Sequence, residues 1–86
     1  MKTVKMFISE KCPGCPGAQR LGARLKSEGF DVHAYDVGTV DGLAEAALNR
    51  VFATPSILIV DAESETLMHE WRGTTPGADE VLHALR

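Results

Sequence analysis

The sequence predicts an α/β fold of element order β-α-β-α-β-β-α, with a four-stranded mixed sheet carrying helices on both faces. Three observations lead there. Apolar periodicity alternates along the chain between strand-like and helix-like stretches. The run Ile57-Leu58-Ile59-Val60 is apolar on both sides of any strand, which marks a central one. The chain is 86 residues long, a length that suits one domain (residues 1–86) and leaves no room for a second.

Taken in order, Val4 to Ile8 is a short apolar run with β-branched and aromatic members, interrupted only by Lys5, and reads as a buried strand. From about Pro13 to Glu28 the apolar positions Ala18, Leu21, Gly22 and Leu25 keep the spacing of one helix face, with Arg20, Arg24 and Lys26 largely outside it. Pro13 suits the first helical position, and Gly29 the end of the helix. Asp31 to Val37 reads as the second strand. Asp41 to Val51 reads as the second helix, with Leu43, Ala47 and Val51 on one face and Asp41 as N-cap. Ser56 to Val60 is the third strand. The polar stretch Asp61 to Glu65 turns the chain into Thr66 to Arg72, where Trp71 alternates with Leu67 as a core residue. Gly73 and Pro76 break the chain before a final amphipathic helix bearing Ala78, Val81, Leu82 and Leu85. Asp79 and Glu80 fall in its first turn, where the helix dipole favours acids.

Composition excludes several function classes. The formal net charge is -3, with no cluster of Lys or Arg, which argues against nucleic-acid partners. No apolar run approaches the roughly 18 residues of a membrane-spanning helix. Lys5, followed by Ser9, Glu10 and Lys11, interrupts any signal-peptide core, so a cytoplasmic location is expected. His33, His69 and His83 have no partner that the sequence names and read as surface or packing residues.

The chemistry concentrates in Lys11-Cys12-Pro13-Gly14-Cys15-Pro16, between a strand and a helix. A bridge between Cys12 and Cys15 closes too short a loop to stabilise the fold much, so the pair points to reactivity. The first turn of a helix offers unpaired backbone N–H groups and the positive end of the dipole. A thiolate at Cys12 gains from both, and from the Lys11 charge, so its pKa is expected to be depressed. Cys12 then attacks a disulfide sulfur, and Cys15, one turn along and more buried, resolves the mixed disulfide. An intramolecular zinc site would need four ligands, and the three histidines lack paired spacing. An iron–sulfur or metal-binding module using Cys12 between two chains stays open.

Together, Cys12-Pro13-Gly14-Cys15 after strand one, Thr54-Pro55 before strand three, Gly73 after strand four and the element order resemble the thioredoxin superfamily, in its compact glutaredoxin-like form. The resemblance covers almost the whole chain and implies a thioredoxin-like fold. It further implies a cis bond before Pro55, with Pro55 shaping a groove beside Cys12 and the Thr54 backbone pairing with an extended substrate. By the same analogy Gly73 admits a partner's backbone, with a plain turn glycine as the competing reading. Lys11 stands where thioredoxins usually carry tryptophan, and the first strand has no carboxylate to accept the Cys15 proton. Gly14 replaces the aromatic residue usual in glutaredoxins. The stretch Gly73 to Glu80 is only a spread-out version of their glutathione-holding segment. Pro16 is expected to rigidify the motif and alter its redox poise.

The expected activity is thiol–disulfide exchange on protein disulfides through Cys12 and Cys15, with Lys11, Pro13, Gly14, Thr54, Pro55 and Gly73 contributing to substrate binding. The expected electron source is a thioredoxin-reductase-type enzyme, with glutathione as the alternative. No cofactor is required on this reading, and a monomer is expected.

Overall fold

A computed structural model describes residues 1–86. The elements are β1 (Lys2–Ile8), α1 (Cys15–Ser27), β2 (Asp31–Asp36), α2 (Val40–Leu48), β3 (Ser56–Asp61), β4 (Leu67–Arg72) and α3 (Ala78–Leu85). The four strands form one sheet in the order β2-β1-β3-β4. β1 pairs parallel to β2, which requires the α1 crossover, and antiparallel to β3; β3 pairs antiparallel to β4. None of the helices is long and apolar enough to cross a membrane.

Strand alternation distributes the core over both faces of the sheet. Val4 and Met6 join Val32, Ile57 and Ile59 beneath α1 and α3, which contribute Ala18, Leu21, Leu25, Val81, Leu82 and Leu85. Phe7, Leu58 and Val60 point the other way and meet Ala46 of α2 and Val51. β3 supplies residues to both clusters, as its two-sided apolar run predicts.

α1 and α2 both end in a Schellman motif. At the end of α1, Gly29 takes φ 91° and donates to Lys26 O, while Phe30 N–H donates to Leu25 O. At the end of α2, Arg50 takes φ 55°, its N–H donates to Ala47 O, and Val51 N–H donates to Ala46 O. The motif turns Val51 inward just after the helix, and the Arg72 guanidinium caps the Asn49 and Arg50 carbonyls.

Three expectations are corrected. The N-cap of α2 is Thr39, whose hydroxyl accepts from Gly42 N–H at 3.0 Å, and Asp41 lies in the first turn. Its inward face is Gly42 and Ala46, whereas Leu43 and Ala47 are exposed. The cause is steric: a Cβ at residue 42 would lie 1.8 Å from the Asp36 carbonyl oxygen, so only glycine lets the helix seat there. In β4, a register shift between Ile59 and Val60 pairs Leu67 with Val60 while Trp71 pairs with Ile57. Leu67 therefore leaves the Trp71 face and is exposed. Trp71 itself is half-buried against the α1–α3 cluster, and its Nε1–H donates to Glu80 Oε2 at 2.9 Å.

Lys5 does more than interrupt an apolar run. It is buried in mid-strand on the α2 side, where its Nζ pairs with Glu45 Oε2 at 2.7 Å and with Glu65. Burial alone would lower the ammonium's pKa, but hydrogen bonds to Glu45 and Glu65 outweigh it and hold the group above its ordinary value. The same contact holds the Glu65 carboxyl below its ordinary value.

Candidate active site

The site is built where β1 ends and α1 begins. Cys15 N–H donates to Cys12 O at 3.1 Å, and Gly14 has φ -84° and ψ -11°. Residues Cys12 to Cys15 thus form a tight turn with Pro13 at its second position, where proline's fixed φ fits. The first helical bond is Ala18 N–H to Gly14 O. Pro13 accordingly lies outside the helix, contrary to the sequence expectation. Pro16 takes the first turn of α1 and removes no helical bond, because N–H groups there have no helical partner. The Cys15 amide is likewise engaged by the Cys12 carbonyl and is not left to face the Cys12 sulfur.

Cys12 and Cys15 are joined as a disulfide, with their Cα atoms 5.3 Å apart. Cys12 is 9% exposed and Cys15 3% exposed, so the first cysteine is the more accessible residue of the two.

The Thr54–Pro55 bond is cis. The Pro55 ring packs against the motif: a Cβ at residue 14 would lie 3.3 Å from Pro55 Cδ, so a larger residue at position 14 would crowd it. Thr54 and Ser9 share a hydroxyl–hydroxyl hydrogen bond of 2.8 Å, which ties the proline loop to the end of β1. Ser56 is fully buried; its hydroxyl donates to Ala53 O at 2.7 Å and accepts from Gly73 N–H at 3.1 Å. Gly73 has φ 74°, a left-handed conformation that favours glycine, so its turn geometry alone accounts for the residue.

Two depressions flank the motif. A groove of about 540 Å³ gathers Pro13, Gly14, Thr54, Pro55 and Gly73, five of the residues singled out in the sequence, and adds Gly17, Arg20, Thr74 and Thr75. A second cavity, about 410 Å³, holds both cysteines with Ile8, Gln19 and two carboxylates, Glu10 and Asp36. Lys11 lines neither and is exposed. Arg20, Thr75 and Asp36 were not legible as site residues. One sequence signal does exist: Gly14, Gly17 and Arg20 recur every third residue, the spacing of one helix flank.

The chain contains no grouping of three or more His, Cys, Asp or Glu placed to hold a metal ion. His33 Nε2 pairs with Asp31 Oδ1 at 3.0 Å, and His69 stacks on Trp71.

No protein-family model matches the sequence. A probable thioredoxin from Archaeoglobus fulgidus is 34% identical over 62 residues, covering 71% of this chain and 68% of that protein. Thioredoxin 1 from Thermosipho africanus superposes with a TM-score of 0.70 at 22% identity, over 96% of this chain and 89% of that one. A chain in the structure of a ferredoxin:thioredoxin reductase–thioredoxin f2 complex superposes with a TM-score of 0.73 at 14% identity, over 98% and 74% of the two chains. With a paired Cys-x-x-Cys at the strand–helix junction of this fold, the chain belongs to the thioredoxin family of thiol–disulfide oxidoreductases.

Proposed function

We propose that the protein reduces disulfides of other proteins, with Cys12 as nucleophile and Cys15 as resolving thiol. The observation that carries this order of attack is the difference in exposure between the two cysteine residues at the start of α1. In the reduced state the Cys12 thiolate attacks one substrate sulfur, forming a mixed disulfide and releasing the first substrate thiolate. Cys15 gives up its proton toward the cavity that holds Glu10 and Asp36 and attacks Cys12 Sγ. The second substrate thiolate leaves. Two electrons have passed to the substrate, and the protein is left as the Cys12–Cys15 disulfide.

Pro13, Gly14, Thr54, Pro55 and Gly73 form the substrate groove on this reading. Its lining contains no large apolar side chain, which suits recognition of an extended main chain over particular side chains. Lys11, exposed beside Cys12, contributes charge only. The enzyme works in a reducing cytoplasm, without a bound cofactor, and is recharged by a thioredoxin-reductase-type enzyme; the complex among the structural neighbours supports that class of partner. Glutathione is the rival electron source.

Insulin reduction tests the proposal. Wild type should precipitate the insulin B chain in the presence of dithiothreitol. Cys12→Ser should abolish this, while Cys15→Ser should accumulate a mixed disulfide visible by mass spectrometry. A Cys12→Ser variant as active as wild type would reverse the assignment. Coupling to thioredoxin reductase, compared with glutathione and its reductase, identifies the electron source.

A further inference from the structure

The sequence predicts a Cys12 thiolate favoured by free amides at the start of α1 and by Lys11; the structure removes most of that support. Pro13 and Pro16 have no N–H to offer. The Cys15 N–H is engaged by the Cys12 carbonyl at 3.1 Å. Gly14 and Gly17 line the Pro55 groove and not the cavity that holds the two cysteines. Pro16 does line that cavity. Helix amides point back toward the N-terminus, so any other residue at position 16 would aim a donor at the motif. That donor would reach the sulfur, or take the Cys12 carbonyl and free the Cys15 amide. Either way the thiolate would gain a hydrogen bond.

Charge acts in the same direction. The cavity is lined by two carboxylates, Glu10 and Asp36, and by no cation. Asp36 ends β2 beside Ile8 of β1, and its Oδ1 accepts from Gly38 N–H at 2.8 Å. From α1 the cavity receives only the neutral Gln19 and Pro16 besides Cys15. Lys11 is exposed outside it, and Arg20 lines the other groove. We propose that Pro16, Glu10 and Asp36 together withhold stabilisation from the Cys12 thiolate, which makes the junction an electron donor and not an oxidant. The inference rests on the disulfide-reductase reading and gives it a direction. In the mixed disulfide, Cys15 thiolate attacks Cys12 Sγ, the bond to the substrate sulfur breaks, and that sulfur leaves with the electron pair. The competing path is attack by the substrate's second thiolate, which expels Cys12 and restores the substrate disulfide. The less basic thiolate leaves faster. An unsupported Cys12 is the worse leaving group, so the intermediate resolves toward reduced substrate and the Cys12–Cys15 disulfide.

The test alkylates the reduced protein with iodoacetamide between pH 5 and 10, with peptide mass spectrometry assigning the modified cysteine. The Cys12 rate should reach its midpoint at or above the ordinary thiol value of about 8.5. Pro16→Ala should raise the thiolate fraction at pH 7 about threefold, and Asp36→Asn and Glu10→Gln about twofold each. Asp36→Glu, which keeps the charge, should keep the wild-type midpoint. In the triple variant the equilibrium against glutathione at pH 9 should shift about fivefold toward the dithiol, roughly 20 mV for a two-electron couple. A wild-type midpoint near 7, or one unmoved in the triple variant, overturns the proposal; insulin reduction by the same protein leaves the reductase reading standing. A shift in the carboxylate variants alone removes Pro16 from the device. Failure to reduce insulin at any pH overturns the reductase reading itself, whatever the midpoint.

Discussion

On the face of the sheet covered by α1 and α3, eleven buried apolar residues interlock. On the face covered by α2 there are five, and the rest of the contact is made by the Lys5–Glu45–Glu65 ion pairs and by Gly42 seated on the Asp36 carbonyl. The first face supports the start of α1, and hence the dithiol, through many contacts that share the load. The second depends on a few specific ones. It also leaves Val40, Leu43, Leu48 and Phe52 exposed, because α2 touches the sheet along a narrow line. Apolar packing tolerates small errors of shape, whereas a buried charge or a near-contact between backbones does not.

The largest expected effect comes from filling the near-contact. Gly42→Ala should destabilise the protein by about 3 kcal/mol or more, because the new methyl would overlap backbone atoms that cannot swing aside. Urea denaturation followed by far-ultraviolet circular dichroism measures it. Stability within about 0.5 kcal/mol of wild type would show that α2 lifts off its seat easily and that the contrast between the faces is overdrawn.

Breaking the ion pair comes next. Glu45→Ala leaves the Lys5 ammonium buried against a single exposed carboxylate, and should cost about 1–3 kcal/mol. Replacing both members by methionine should recover stability to within about 1 kcal/mol of wild type, since the desolvation of the charge is then removed as well. If the double variant is no better than the single one, the pair is stabilising in its own right.

The smallest effect is a pH dependence. Glu65 is held low by Lys5, Asp31 by the Thr3 hydroxyl ahead of His33, and Asp61 by the Ser64 and Glu63 N–H groups. A carboxyl held low in the folded state adds stability above its unfolded pKa of about 4, and that stability is lost as pH falls below it. Lys5, held high, adds stability at pH below about 10.5, lost as pH rises further. Thermal midpoints should therefore be flat between about pH 5 and 10 and fall on both sides. In the double methionine variant the alkaline fall should weaken, and an unchanged alkaline limb would remove Lys5 as its source.

What could be read from the sequence divides along the same line. The α1–α3 face was legible, because Ala18, Leu21, Gly22, Leu25, Val81, Leu82 and Leu85 repeat at helical spacing and their partners are strands of plain apolar pattern. The dithiol junction was legible because its chemistry is local, with both cysteines between one strand and one helix. The α2 face was not. Its decisive residue is a glycine, which carries no hydropathy signal, and its charge partners lie 40 and 60 positions from Lys5. The Leu67–Trp71 alternation was misread because a register shift leaves no mark in periodicity. Arg20 and Thr75 became visible only when the fold brought α1 and the segment before α3 to one groove.

Ser56 has a consequence of its own. Its one hydroxyl holds the Ala53 carbonyl, which precedes Thr54 on one rim of the groove, and the Gly73 amide on the other. It acts as a spacer at the base of both rims, so they cannot separate without giving up a buried bond. The spacer lies in β3, away from the sulfurs, and neither of its bonds involves a cysteine. The spacing that this hydroxyl sets is therefore not tied through its own bonds to the Cys12–Cys15 bond. On the proposed mechanism the product then leaves when Cys15 attacks the mixed disulfide, above a groove whose base Ser56 holds.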